Sequence, residues 1–239
     1  MIYLVTFADG RLFLNTRNLF DKTLSVLNVD KHISYTRDDI INTDFYRRNE
    51  RIFKFKKGFG LFIWKPYIIS DQLAKINEND YIFYCDCSQH VIEGFTQSID
   101  PTIQYMETNN LDIMPGIRQN LTNEMHTSDD CINRIKMDYD FDINAYKSSP
   151  QYTAGHLIIK KTERSVKFIN EWLKYCQIYK CIEKKKTKTG FNNCDMAVLN
   201  VLLFAYSIQN PCQPLDKYIS RSHNVFLSQY EQTPFAHLR

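Results

Sequence analysis

The stretch GFGLFIWKPYIISDQLAKINENDYIFYCDCS, residues 58–88, contains the clearest structural pattern of this chain. Its glycine pair, in Gly58-Phe59-Gly60, predicts a tight loop, and Pro66 suits the first turn of a helix. Apolar residues recur at i, i+4 and i+7 from Ile69, which is the spacing of one helix face. The hydrophobic run over 81–84 is then typical of a buried strand. The stretch therefore predicts loop, helix and strand in succession.

The same alternation of strands and helices extends on both sides of this stretch. Residues 2–7 form a continuous apolar run of the kind that parallel sheets bury on both faces. Residues 32–35 and 152–160 predict further strands, and Thr162 caps a helix with apolar residues at helical spacing. This order predicts an α/β fold with a mainly parallel central sheet flanked by helices. The absence of a repeat or low-complexity tract favours a single domain over 1–239.

Composition narrows the class of protein. The chain has 239 residues, 30 basic and 27 acidic side chains and a net charge of +3, which is too balanced to favour a nucleic-acid partner. Its seven cysteines match no zinc-ligand spacing, so we expect reduced thiols and a cytoplasmic location. No signal peptide and no membrane span is expected.

Asp86 is the most informative single residue. It ends the apolar strand 81–84, and ligands of open α/β sheets bind beyond the carboxyl ends of the strands. A carboxylate there could hold a divalent cation, Mn²⁺ or Mg²⁺, or a sugar hydroxyl. Asp-x-Asp is frequent at this position in sugar-nucleotide transferases, but here Tyr84 stands at the first Asp position. The alternative is that Asp86 only caps a turn.

Other residues are candidates for the same site. Trp64 could stack on a sugar, and the Lys65 ammonium could lie near a diphosphate. Asp195, at the start of an apolar helix, could be a base for an acceptor hydroxyl, although the helix dipole alone favours an acid there. His223 is a candidate metal or phosphate ligand, and Arg221 a candidate partner of the leaving diphosphate.

Three features together are similar to a known family. They are Thr-Phe-x-Asp at the end of the first strand, G-x-G-x-x-x-W-K-P-Y-I-I from Gly58, and an acid after a strand that ends in Tyr. The chain resembles GT-A-fold nucleotide-sugar glycosyltransferases of the type found in bacterial polysaccharide-biosynthesis clusters and large DNA viruses. The family's H-R-x-D-Q segment falls on 192–196, where only Asp195 is kept.

The resemblance implies a nucleotide-sugar-binding half over 1–115 and an acceptor-side half over 116–239. It implies a UDP- or GDP-sugar donor, a glycan acceptor and a divalent metal ion. The resemblance would place Thr6, Phe7 and Asp9 by the nucleotide, Trp64 and Lys65 by the donor, and Asp86 at the metal or diphosphate.

Two other classes of function remain open. One is a nucleotidyltransferase of related topology, for which Ala8-Asp9-Gly10-Arg11 is a poor fingerprint. The other is a non-catalytic module that binds carbohydrate or nucleic acid through the aromatic and basic stretch 44–57. Binding that falls steeply with salt would favour this second class.

Overall fold

The computed structural model describes residues 1–10, 29–87, 99–188 and 190–208. The helix that the spacing of Phe13, Leu24 and Leu27 predicts after the first strand lies outside these residues, as do Arg221, His223 and Cys212. Within the described residues, the strands are β1 (Ile2–Ala8), β2 (Lys31–Thr36), β3 (Tyr81–Cys85), β4 (Ile113–Thr122) and β5 (Pro150–Lys160).

Helices connect these strands and cover both faces of the sheet. In chain order they are α1 (Asp38–Ile41), α2 (Asp44–Arg48), α3 (Glu50–Phe53), α4 (Trp64–Leu73), α5 (Asp100–Thr108), α6 (Asn123–His126), α7 (Asp129–Lys136), α8 (Ile143–Ser148), α9 (Glu163–Cys176), α10 (Tyr179–Ile182) and α11 (Asp195–Ala205). None of these helices is both long and apolar enough to cross a membrane.

The strands form one open sheet in the order β2-β1-β3-β5-β4. This mixed α/β architecture confirms the predicted fold class. β1 pairs in parallel with both β2 and β3. β5, by contrast, runs antiparallel to its neighbours β3 and β4. Of the four strand pairs in the described sheet, two are thus parallel and two antiparallel.

The reversal of β5 has a local cause. Thr122 at the end of β4 pairs with Pro150 at the start of β5, so β4 and β5 form an antiparallel hairpin. The helices between them are an insertion at the turn of that hairpin. The Asn123 N–H donates to the Ser149 carbonyl at 3.1 Å and closes this insertion. A short apolar run has the same sequence signature in either direction, so the pattern alone could not give the orientation of β5.

β1 is buried on both faces, as its unbroken apolar run predicts. Tyr3, Val5 and Phe7 belong to the larger hydrophobic core, which also contains residues of α4, α9 and α11. Leu4 and Ala8 point to the other face and join a second core that includes Met106 of α5. Because successive side chains of a strand alternate between faces, both packings follow directly from the sequence.

α4 and α9 begin as the sequence predicts. Pro66 lies in the first turn of α4, where the missing N–H removes no intrahelical hydrogen bond. The Thr162 hydroxyl accepts from the Ser165 N–H at 3.1 Å, and the Ser165 hydroxyl accepts from the Thr162 N–H at 3.0 Å. This reciprocal pair is a capping box, and it fixes the start of α9.

The aromatic and basic stretch 44–57 contributes mainly to the core. Phe45 and Phe53 are buried and pack edge-to-face at 5.7 Å between ring centroids. Phe45 also stacks on Tyr67 of α4 at 4.1 Å. Rings packed in this way do not offer a stacking platform to nucleic-acid bases. The described geometry of this stretch therefore gives no support to the binding-module alternative.

Candidate functional site

A left-handed turn connects the aromatic stretch to α4. Five consecutive residues have positive φ, namely Gly58 at 56°, Phe59 at 45°, Gly60 at 79°, Leu61 at 57° and Phe62 at 66°. The left-handed conformation costs roughly 1–2 kcal/mol for each residue with a Cβ, and glycine avoids that cost. Phe59 and Leu61 are buried, and this burial offsets part of the strain. Strain of this kind is concentrated at functional sites, because the surrounding structure must hold it in place.

This turn forms one wall of a cleft of about 400 Å³ beyond the carboxyl ends of β1 and β3. The cleft lies where ligands of open α/β sheets bind, and its volume falls in the usual range for small-molecule sites. Its residues come from β1 and the segment after it, from the turn, from the start of α4 and from the end of β3. They are Phe7, Asp9, Lys56, Gly58, Phe59, Phe62, Trp64, Asp86 and Cys87.

The aromatic wall of the cleft is held in place by stacking and by one hydrogen bond. Phe7 stacks on Trp64 with ring centroids 3.8 Å apart, and Phe59 lies parallel to Phe7 at 6.2 Å. The Trp64 indole N–H donates to the Gly58 carbonyl at 2.8 Å. These contacts give the cleft a rigid, apolar wall.

Asp9 is held by an arginine that sequence reasoning missed. Arg37 donates from Nε to Asp9 Oδ1 at 3.0 Å and from a terminal nitrogen to Oδ2 at 2.7 Å. Its guanidinium also lies over the Phe59 ring, 4.3 Å from the centroid. Both Asp9 oxygens are therefore engaged by Arg37. The pair brings together two segments on the sheet edge, after β1 and after β2.

The strand-end acid, Asp86, opens onto the cleft. Its side chain is 30% exposed, and its backbone N–H donates to the Gly155 carbonyl of β5 at 2.7 Å. The Tyr84 hydroxyl, on the same strand face, donates a short hydrogen bond to Asp86 Oδ1. Burial first, and then the neighbouring Asp86, raise the pKa of the Tyr84 phenol well above its ordinary value. The phenol therefore stays protonated and acts as a donor that orients the carboxylate.

Lys65 lies behind Asp86 and is almost fully buried, with 4% exposure. Its ammonium donates to the Ala154 carbonyl at 2.9 Å. It also lies 3.2 Å from Asp86 Oδ1 and 3.5 Å from Asp195 Oδ2. Burial opposes the charged form, but the Asp195 and Asp86 carboxylates outweigh it and raise the pKa of Lys65 above its ordinary value. The ammonium is therefore a permanent charge within the protein.

Asp195 is the buried partner of this ammonium. The carboxylate begins α11, and the Trp172 indole N–H donates to the Asp195 carbonyl at 2.9 Å, which locks the helix start. Cys194 before it has φ 50°, so the chain enters the helix through a strained residue. Burial raises the pKa of Asp195 to about 6, although Lys65 acts in the opposite direction. A carboxyl group shifted so far by burial and a specific partner is a functional-site candidate.

The predicted site residues thus fall into four groups. Phe7, Asp9, Trp64 and Asp86 line the cleft. Lys65 and Asp195 form a buried layer behind it. Thr6 is also buried, with its hydroxyl 3.4 Å from the Ser34 hydroxyl, and does not line the cleft. Arg221 and His223 lie outside the described residues. The roles assigned to all of these residues stay predictions.

Sequence reasoning also missed an exposed basic residue of the cleft, Lys56. Lys56 lines the cleft and is exposed, whereas the Lys65 ammonium is enclosed by oxygen partners. In the sequence Lys56 is one of several basic residues of 44–57, so no local pattern distinguished it.

The described residues do not fit a divalent metal ion. Within them, no group of three or more His, Cys, Asp and Glu side chains is arranged to hold one. Asp86 supplies a single carboxylate, and its Oδ1 already accepts from Tyr84 and lies against the Lys65 ammonium. A Mg²⁺ or Ca²⁺ ion takes six or more oxygen ligands, and the phenol at residue 84 does not replace a carboxylate.

Comparison with known proteins gives distant structural likenesses. No protein-family model and no curated protein matches the sequence. Among solved structures, the chain is similar to mouse xyloside xylosyltransferase 1 in its apo form, with 8% identity, a TM-score of 0.46, and coverage of 90% of this chain and 86% of that chain. It is also similar to a glycosyltransferase involved in the glycosylation of the major capsid of PBCV-1, with 10% identity, a TM-score of 0.33, and coverage of 72% of this chain and 65% of that chain. Both likenesses are distant, and the function proposed below rests on the residues of the cleft.

Proposed function

We propose that this protein is a glycosyltransferase that moves a sugar from a nucleotide-diphosphate sugar to a hydroxyl acceptor in glycan or polysaccharide assembly. The observation that carries the proposal is the position of Asp86. It is a partly exposed carboxylate at the end of a central strand, and it opens onto an aromatic-walled cleft. A ring-shaped polyhydroxyl ligand needs both a flat apolar surface and a hydrogen-bond acceptor, and this cleft offers both.

The cleft offers a contact for each part of the donor. Phe62, a half-buried ring of the cleft lining, suits a base or sugar face, and Lys56 provides positive charge for the diphosphate. The described contacts of Asp86 with Tyr84 and Lys65 both fall on Oδ1. Oδ2 is then the oxygen that accepts from a donor hydroxyl. Among the described residues, Asp86 is the cleft carboxylate best placed for this contact, because both Asp9 oxygens are held by Arg37.

In the reaction, the bond between the anomeric carbon and the diphosphate oxygen breaks. The acceptor oxygen bonds to that carbon, and its proton leaves to a base. The residues of the cleft hold the donor and exclude water from it, which supplies proximity and orientation. Asp195, 4% exposed behind Lys65, reaches an acceptor only if that pair opens. We therefore assign it first a supporting role, through Lys65, and its action as a base stays a prediction.

Two further points complete the proposal. The preferred donor is a UDP- or GDP-sugar, with a glycan acceptor. The location is cytoplasmic, in keeping with six described cysteines that are free thiols.

The test is a thermal-shift screen of UDP-, GDP- and TDP-sugars on the full chain, followed by nucleoside diphosphate release with water as acceptor. A donor at about 100 times its Kd stabilises the native state by about 2.7 kcal/mol. For a chain of this size that shift corresponds to roughly 5–10 °C in Tm.

The matched variants are Asp86→Asn and Asp44→Asn. Asp44 is an exposed carboxylate of α2 that pairs only with Arg47 among the described residues. We expect Asp86→Asn to abolish nucleoside diphosphate release and Asp44→Asn to leave it unchanged. If no nucleotide sugar raises the Tm, or if Asp86→Asn retains full activity, the proposal is wrong.

A further inference from the structure

The space between Asp86 and Asp195 is filled by a side chain of the protein itself. The two carboxylates come from the end of β3 and the start of α11, which are far apart in sequence. The Lys65 ammonium lies 3.2 Å from one and 3.5 Å from the other, and it donates a hydrogen bond to the Ala154 carbonyl at 2.9 Å. A lysine ammonium has three N–H donors and no acceptor. One of these donors is used by the Ala154 carbonyl, and the positive charge is shared by the two carboxylates.

Two converging carboxylates from separate elements are the start of a typical divalent-cation site. Here an ion between them would have to displace Lys65 or lie in contact with its positive charge. Displacement is unfavourable, because Lys65 is buried and its pKa is raised above the ordinary value, so it keeps its charge. The charge compensation that a metal ion would bring to these carboxylates is already present.

We propose that Lys65 is the built-in cation of this site, and that sugar transfer in the cleft proceeds without a divalent metal ion. This inference rests on the glycosyltransferase proposal. Lys65 is a positioning residue. Together with the Tyr84 hydroxyl it holds Asp86 Oδ1, and this fixes the direction in which the carboxylate faces the cleft. Lysine suits this role because its ammonium is a compact point charge with donors in three directions.

Asp195 completes the arrangement from the buried side. Its Oδ2 has no hydrogen-bond partner within the described structure apart from its ion pair with Lys65. Without the ammonium, Asp195 and Asp86 would face each other as two negative charges in a partly buried space. Such a pair would recruit a cation from solution. Removal of Lys65 is therefore expected to create a metal site, which a merely structural lysine would not do.

The first experiment measures activity on the wild-type chain. Nucleoside diphosphate release from the donor found by thermal shift is measured with EDTA and with added MnCl₂. We expect the two rates to agree within about twofold. A loss of about tenfold or more in EDTA that Mn²⁺ restores would overturn the inference, while the glycosyltransferase proposal would stand.

The second experiment needs no activity. Free Mn²⁺ is titrated by electron paramagnetic resonance against wild-type protein, Lys65→Ala and the control Lys75→Ala, whose lysine is exposed and pairs with Asp71 at 2.6 Å. We expect the wild type and Lys75→Ala to take up no Mn²⁺, and Lys65→Ala to take up one ion. One ion per wild-type chain, or none in a folded Lys65→Ala, would refute the role of Lys65.

The two proposals fail separately. If no donor is turned over with or without Mn²⁺, the proposed function is wrong, and the titration still decides the role of Lys65. If circular dichroism shows that Lys65→Ala is unfolded, the wild-type titration and the EDTA comparison decide it.

Discussion

Replacement of Lys65 by methionine should destabilise the protein in a strongly pH-dependent way. Methionine keeps the length of the side chain but removes the charge between Asp86 and Asp195. Removal of one partner of a buried ion pair costs about 3–5 kcal/mol, since the other charge is left uncompensated. We expect this loss at pH 8, where Asp195 would be ionised in the wild type.

The sign of the pH dependence follows from Asp195. Its pKa is raised from 3.8 to about 6 in the folded protein, so the folded state binds this proton more tightly than the unfolded state. Wild-type stability therefore falls as pH rises from about 4 to about 6, by roughly 3 kcal/mol for about two pKa units. Above pH 6 the wild-type contribution is constant. In Lys65→Met the pKa of Asp195 rises further, because the attraction of Lys65 is gone, and stability continues to fall beyond pH 6.

At pH 5 the variant should lose much less. Asp195 is then largely protonated in both proteins, and the remaining loss is the contact of Lys65 with the partly exposed Asp86, about 1 kcal/mol. Urea unfolding at pH 5 and pH 8 measures both losses, with m-values compared to confirm two-state behaviour. The control Lys75→Met removes an exposed pair and should cost about 0–1 kcal/mol at either pH. The double variant Lys65→Met/Asp195→Asn should recover most of the stability at pH 8. An equal loss at pH 5 and pH 8 would refute the reasoning.

Three further predictions concern the left-handed turn and the two acids. Gly60→Ala should lower the free energy of unfolding in urea by about 2–4 kcal/mol, because Gly60 has φ +79° and a Cβ there would lie 2.7 Å from the Phe53 ring. The control Gly10→Ala has a similar φ of +77° but no described atom within 4 Å of the new Cβ, so it should cost only the conformational part, about 1 kcal/mol. Equal losses in the two variants would contradict the packing argument. Nucleoside diphosphate release should fall as pH drops below about 6, since Asp195 then takes up a proton. If the pH–rate profile of Asp195→Asn still shows this fall in rate, the fall is caused by another titrating group. Tyr84→Phe should lower turnover by roughly tenfold, because the Asp86 carboxylate loses the hydrogen bond that orients it. The Tm shift given by the donor should change little. A loss confined to donor binding would exclude an orienting role for Tyr84.

Much of the fold could be predicted from local patterns. The unbroken apolar run of β1, the Pro66 helix start and the Thr162 cap depend on neighbouring residues, and each agrees with the structure. The direction of β5 could not be predicted, because it depends on where the chain returns after the helices that follow β4. The left-handed turn could be predicted only in part. Its glycines predicted a tight loop, but positive φ at Phe59, Leu61 and Phe62 is contrary to their intrinsic preference and requires the tertiary packing that holds it.

The site divides in the same way. Asp86 could be found because the end of an apolar strand is a local feature, and the structure places it at the cleft. The salt bridge between Arg37 and Asp9 could not be predicted, because it joins the segments that follow two different strands. The position of Lys65 between Trp64 and Pro66 predicts a diphosphate contact. Its partners in the structure are Asp86, Ala154 and Asp195, which are far from it in sequence.

A physical signal for the true environment of Lys65 was nevertheless present in the sequence. Lysine is almost never fully buried unless it is paired, and Trp64-Lys65-Pro66-Tyr67-Ile68-Ile69 is too apolar to begin an exposed helix. A lysine in that position requires a carboxylate, and the sequence offers Asp86 at the end of β3 and Asp195 at the start of α11. Both are within 3.5 Å of the ammonium. The requirement that a buried charge be compensated therefore connects the three residues, and it gives the lysine a role in orienting the acid that faces the cleft.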